Sequence, residues 1–217
     1  MDKYIYIAIF CISLIVITIY TKRHNTNNKV RIACIGDSIT YGSRLKFRMW
    51  NCYPNILNGI LHPDFVVCNF GVSGACAIAN SDKPYTKEKT YKKSLKYQPD
   101  FVLLMLGTND SKTQNWDLKR FKSDYMAIIK KYKNLDSKPK IYLMPPIPGF
   151  ESLWNIQCSV IENQLLPIVY EIAGEMDLDI IDSNSPFIDR ANLTSDNIHP
   201  NNAGAKLLAK IVSKKFI

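Results

Sequence analysis

Val30-Arg31-Ile32-Ala33-Cys34-Ile35-Gly36-Asp37-Ser38 joins an apolar run to a glycine and two polar residues. Val30 to Ile35 is a short run rich in β-branched and small apolar residues, and it stops abruptly at Gly36-Asp37-Ser38. Such a run has no polar face, so it fits a strand covered on both sides rather than one edge of a solvated sheet. Four further runs share this form: Phe65 to Phe70 before Gly71, Phe101 to Leu106 before Gly107, Lys140 to Met144 before Pro145-Pro146, and Asp179 to Ile181 before Asp182.

Between these runs lie helix-like stretches at Arg48 to Leu61, Tyr85 to Tyr97, Asp117 to Tyr132, Ile156 to Met176 and Ala203 to Val212. In the third, Leu118, Phe121, Tyr125, Ile128, Ile129 and Tyr132 recur at helical spacing on one face. Strands alternating with helices imply right-handed crossovers, a parallel sheet and helices on both of its faces. The expectation is an α/β fold, a three-layer α/β/α sandwich around a five-stranded parallel sheet. Ligands in such sheets bind beyond the C-terminal ends of the strands.

The chain has 217 residues, with 47% hydrophobic and 22% charged, an ordinary balance for one globular domain. Residues 4–20 carry no charge. A bilayer span needs about 20 apolar residues, with a lower limit near 17. A membrane anchor over 1–21 is the first reading, giving one N-terminal hydrophobic helix, then a polar linker over 22–29 and a domain over 30–217. A cleaved signal peptide competes, although the run ends Ile-Thr-Ile-Tyr rather than in small residues. A buried core helix is the third reading, opposed by the lack of a polar face. Lys22, Arg23, Lys29 and Arg31 outweigh Lys3, which places the domain on the cytoplasmic side by the positive-inside rule; a secreted or lumenal domain is the alternative.

The net charge of +9 raises the question of nucleic acid. Residues 1–31 account for +4 of it, and Lys83 to Lys96 reads as a solvated helix face rather than a phosphate-binding patch, so no nucleic-acid partner is expected. Six cysteines at irregular spacings, with no CxxC, give neither a zinc motif nor a disulfide framework.

Polar residues with no obvious structural purpose gather at the strand ends. Ser38 sits at a strand-to-helix turn, where a hydroxyl is presented beside free backbone N–H groups. The same position suits a helix N-cap. His199, in Asp196-Asn197-Ile198-His199-Pro200, offers the base that a serine nucleophile needs, and Asp196 can orient it. Alternatively, His199 is a loop residue that caps the last helix. Acyl transfer also requires donors at the developing oxyanion. Asn69-Phe70-Gly71-Val72-Ser73-Gly74 and Gly107-Thr108-Asn109-Asp110 can supply the N–H of Gly74 and the amide of Asn109. Taken singly, the glycines read as turn residues and Asn109 as an Asx-turn.

These four blocks, in this order, resemble the SGNH (GDSL-type) hydrolase superfamily. The resemblance runs from about Val30 to the C-terminus and implies a flavodoxin-like sandwich. It implies Ser38 as nucleophile, His199 as general base and then acid, and Asp196 as its orienting carboxylate. It places the oxyanion hole at the N–H groups of Ser38 and Gly74 and the side chain of Asn109. No metal or cofactor is implied. Gly107 to Trp116, Met144 to Pro148 and Asp196 to Ala205 are similar to a branch with carbohydrate O-acetylesterases, sialate O-acetylesterase-like proteins among them. The expected substrate is a small-molecule or glycan ester, acetyl before longer acyl. A lipase, thioesterase or lysophospholipase, and a non-catalytic glycan-binding derivative, are the alternatives.

Overall fold

The computed structural model describes residues 29–217. The expected membrane helix over 1–21 and nearly all of the linker over 22–29 lie outside these residues. Among the described residues no helix is long and apolar enough to cross a membrane.

Among the described residues there are five strands, β1 (Val30–Gly36), β2 (Phe65–Gly71), β3 (Phe101–Met105), β4 (Lys140–Leu143) and β5 (Asp179–Ile180). All pairings are parallel and the order is β2-β1-β3-β4-β5. Alternation along each strand feeds two separate cores. Ala33 and Ile35 of β1, Val102 and Leu104 of β3, and Ile141 and Leu143 of β4 face one side. Ile32, Cys34, Leu103, Met105 and Tyr142 face the other. Each buried Ile, Leu, Val or Met among them contributes roughly 1.5–3 kcal/mol.

The first core is closed by α4 (Lys89–Lys96), α5 (Leu118–Lys133) and α7 (Leu166–Met176), through Tyr91, Phe121, Tyr125, Ile128, Ile168 and Ile172. The second is closed by α3 (Tyr53–Leu61) and α8 (Asn202–Ser213), through Tyr53, Leu57, Leu208 and Val212. Two short helices, α1 (Ser38–Tyr41) and α2 (Arg48–Asn51), follow β1, and α6 (Cys158–Val160) precedes α7.

Three expected helices differ in their course. Arg48 to Leu61 is broken at Cys52, which is extended at ψ 144°. Pro54 has no N–H to give to a preceding turn, so it is accommodated only where a new helix begins. Tyr85 to Tyr97 opens as a 3-10 turn, Tyr85–Lys87, and restarts after Glu88. Tertiary bonds hold that first turn: the Tyr85 N–H donates to Cys76 O at 2.8 Å and its hydroxyl to Phe70 O at 2.8 Å. The helix expected from Ile156 starts at Cys158 and contains a π turn, Ile161–Leu165. Pro167 lies just beyond that turn and cannot complete the regular α ladder behind it.

On α4, Lys89, Lys92, Lys93 and Lys96 are exposed while Tyr91 and Ser94 are buried, which is the arrangement of a solvated basic face. Cys34, Cys52, Cys68, Cys76 and Cys158 are all free thiols. Cys34 is buried as a small core residue, whereas Cys68 is only partly covered.

The sheet order reverses direction beside β1, since β2 lies on one side of it and β3 on the other. A crevice opens at the C-terminal ends of strands at such a switch point. Gly36 pairs in register with Gly71 of β2 and Met105 of β3, so the segments beginning Asp37, Val72 and Leu106 leave the sheet at one level.

Candidate active site

Ser38 begins α1, directly after β1. Asp37, not Ser38, caps this helix: its Oδ1 accepts from Ile39 N at 2.9 Å. The Ser38 hydroxyl is therefore not consumed by capping. Gly71 allows the tight packing of α1 on β2, because a Cβ there would stand 2.7 Å from the carbonyl carbon of Thr40.

His199 reaches Ser38 from the far end of the chain. The loop that carries it is pinned at its neck: Ser195 N donates to His199 O at 2.8 Å and Asn201 N to Leu193 O at 2.9 Å. Asn201 caps α8 by accepting from Ala203 N and Gly204 N, so His199 has no capping duty. Its Nε2 lies 2.9 Å from Ser38 Oγ, and its Nδ1 lies 2.9 Å and 3.1 Å from the two oxygens of Asp196. Ser38 and His199 are 4% and 8% exposed.

Asp196 also accepts from the backbone of its own loop, from His199 N at 2.7 Å and Ile198 N at 3.2 Å. Partial burial works against its ionised form. The His199 N–H, the imidazole and the Ile198 N–H outweigh burial and hold the carboxyl below the usual range. A carboxylate beside Nδ1 selects the tautomer that leaves Nε2 free to accept a proton.

The donors sit across the crevice. Asn109 follows β3 and is 4% exposed; its Nδ2 donates to Ala75 O at 3.3 Å, which leaves a second amide hydrogen. Gly74 adopts φ +81°, a conformation that suits glycine and re-aims the following backbone. Among the described residues, the N–H groups of Ser38 and Gly74 have no hydrogen-bond acceptor.

A carboxylate behind these donors ties their two loops together. Asp110, fully buried, accepts from Ala77 N at 3.0 Å and Ile78 N at 2.8 Å. Burial pushes its pKa up to about 7 against those two N–H groups, and the neighbouring Asp37 adds to the rise. Burial likewise pushes Asp37 up to about 6. Asn115 extends the brace, donating to Asn109 O at 3.0 Å and to Asp82 Oδ1 at 2.8 Å.

The structure thus brings Ser38, His199 and Asp196 into one hydrogen-bonded chain, with Gly74 and Asn109 at the same rim of the sheet. The Asx-turn and helix-cap readings do not describe Asn109, Ser38 or His199. Asp110 and Asn115 were not singled out from sequence, although Asp110 stands within Gly107-Thr108-Asn109-Asp110. Arg44 and Trp154 also border the pair of Asp196 and His199. The Arg44 Nε lies 3.4 Å from Asp196 Oδ2, and the Trp154 ring centroid 5.5 Å from that of His199. Neither belongs to a motif that could have marked it.

The family model described as GDSL-like Lipase/Acylhydrolase matches residues 34–207. An acetylxylan esterase of Xylanibacter ruminicola is 38% identical over 203 residues, covering 85% of this chain and 42% of that relative. The chain therefore spans less than half the length of this relative. Among solved structures, an acetylxylan esterase from Geobacillus stearothermophilus superposes with a TM-score of 0.66 at 23% identity, covering 87% of this chain and 95% of that one. A two-domain esterase active on acetylated mannans gives 0.65 at 20% identity, covering 92% and 53%. Those two likenesses establish the fold, and the family match rests on the sequence itself: this chain belongs to the GDSL-like lipase/acylhydrolase family.

Proposed function

We propose that the protein is a serine esterase that removes acetyl groups from carbohydrates through an acyl-enzyme on Ser38. The observation that carries this reading is the continuous hydrogen-bonded chain from Ser38 Oγ through His199 to Asp196. A serine hydroxyl is a weak nucleophile until a base takes its proton. His199 Nε2 is within reach to do so as Oγ attacks the ester carbonyl. The imidazolium that forms is stabilised by Asp196. Negative charge then develops on the carbonyl oxygen, where the N–H groups of Ser38 and Gly74 and the free amide hydrogen of Asn109 oppose it. His199 returns the proton to the departing alcohol; water then gives a proton to His199 and attacks the acyl carbon, the bond to Ser38 Oγ breaks, and His199 returns that proton to Oγ as the acid leaves.

Acetate as the acyl group and a sugar as the alcohol are supported by the 38% identity to an acetylxylan esterase. The test is a panel assayed with the purified protein: acetylated xylo-oligosaccharides, p-nitrophenyl acetate and p-nitrophenyl octanoate. Rapid release of acetate with slow turnover of octanoate is the expected result. Faster octanoate than acetate turnover would move the enzyme to the long-acyl reading.

Membrane attachment through residues 4–20, with the esterase domain on the cytoplasmic side, is likewise a proposal, supported by the uncharged run and its flanking basic residues. Protease protection of the domain in sealed vesicles of each orientation tests both the attachment and the side.

A further inference from the structure

We infer that Trp154, walled by Arg44, is the surface on which the sugar ring of the departing alcohol rests, so that it governs which esters are accepted. This rests on the esterase reading above and names a determinant of its alcohol specificity.

The chemistry decides where the alcohol must lie. The carbonyl oxygen has to face Asn109 and Gly74, whereas the leaving oxygen has to receive its proton from His199 Nε2. The alcohol half therefore stands on the His199 side of the crevice. The aromatic side chain packed on that side is Trp154, whose ring centroid is 5.5 Å from the imidazole at an interplanar angle of 56°. Arg44 lies on the same ring, its Cζ 5.5 Å from the indole centroid, while its Nε stays 3.4 Å from Asp196. Indole, guanidinium and imidazole thus form one contiguous wall beside the reacting centre.

Trp154 is held there rather than left to drift. Trp154 and Asn155 have consecutive positive φ values, +52° and +63°, in a region that non-glycine residues avoid. Their loop is stitched to both halves of the site. Thr113 N donates to Asn155 O at 3.2 Å, on the side of Asn109. Phe150 N donates to Asn197 O at 2.9 Å, and Asn197 Nδ2 to Glu151 Oε2 at 2.8 Å, on the side of His199. Yet Trp154 is 48% exposed. A large aromatic residue held about half in water on a strained backbone, against the imidazole that protonates the leaving group, is what a binding platform requires and a packing residue does not. The negative face of an indole attracts the polarised C–H groups on one side of a pyranose. The remaining guanidinium nitrogens of Arg44 can donate to its hydroxyls.

The test compares an acetylated xylo-oligosaccharide with ethyl acetate, whose alcohol has no ring to rest on the indole. Trp154→Ala is expected to lower kcat/KM on the oligosaccharide by about tenfold, the scale of one lost aromatic contact, mainly through KM. Ethyl acetate turnover should stay within about twofold, and Trp154→Phe should recover much of the oligosaccharide loss, a variant that also covers a folding failure of the alanine form. Equal losses on both substrates would make Trp154 a positioning residue for His199 and overturn the inference, as would an unchanged oligosaccharide KM. A wild-type protein that hydrolyses ethyl acetate but no acetylated sugar would instead overturn the carbohydrate reading itself.

Discussion

Ser38 Oγ and His199 Nε2 stand 2.9 Å apart although 161 positions separate the two residues in the chain. Because Asp37 provides the cap of α1, the Ser38 hydroxyl makes this hydrogen bond alone among the described residues. Ser38→Ala is therefore expected to leave thermal unfolding nearly unchanged while kcat falls by about 10⁴-fold or more. Steady-state turnover alongside a melting curve checks both halves. A variant that keeps a tenth of the activity would remove Ser38 from the mechanism.

Asp196→Asn keeps the shape of the side chain but replaces an acceptor with an amide at Nδ1. The imidazole is then free to take the wrong tautomer, and kcat should drop by about 10⁴-fold. The wild-type carboxyl also has a pH signature. Its pKa is depressed in the folded state, so it stabilises the fold above its unfolded value and loses that contribution as pH falls through the folded one. Melting temperatures of the two proteins should converge in acid.

Asn109→Ala removes the amide that faces the developing oxyanion and leaves the nucleophile and base in place. A loss of about 10²–10³ in kcat with little change in KM is expected. A KM effect without a kcat effect would reassign Asn109 to ground-state binding.

Asp110 and Asp37 give the opposite pH dependence. Their pKa values are raised by burial to about 7 and about 6, so their contribution is full below the unfolded carboxyl range and is lost as pH rises through these values. Stability should decline between about pH 4 and 7. In Asp110→Asn one of the two N–H groups at Ala77 and Ile78 faces an amide donor, at a cost of roughly 1–3 kcal/mol. Chemical denaturation across that range should show the deficit of the variant largest in acid and smaller above pH 7.

The features legible in the amino-acid order are local ones. Val30 to Ile35 and the four runs like it reveal buried strands because hydrophobic patterning acts over a few residues, and Gly36, Gly71 and Gly107 mark where the strands stop. These boundaries place Ser38, Gly74 and Asn109 at the sheet rim from local pattern alone. Asp196 could be paired with His199 because the two share one turn. The helix breaks at Cys52 and Glu88 were less legible, since one depends on where Pro54 falls in a turn and the other on the tertiary anchoring of Tyr85. Which side chains meet across the crevice is fixed by the packed fold. Sheet order and register, set by packing summed over two cores, bring His199 to Ser38, Asp110 to Ala77 and Ile78, and Trp154 to His199 and Arg44. Such meetings depend on the paths of whole helices and loops, and no short-range pattern encodes them.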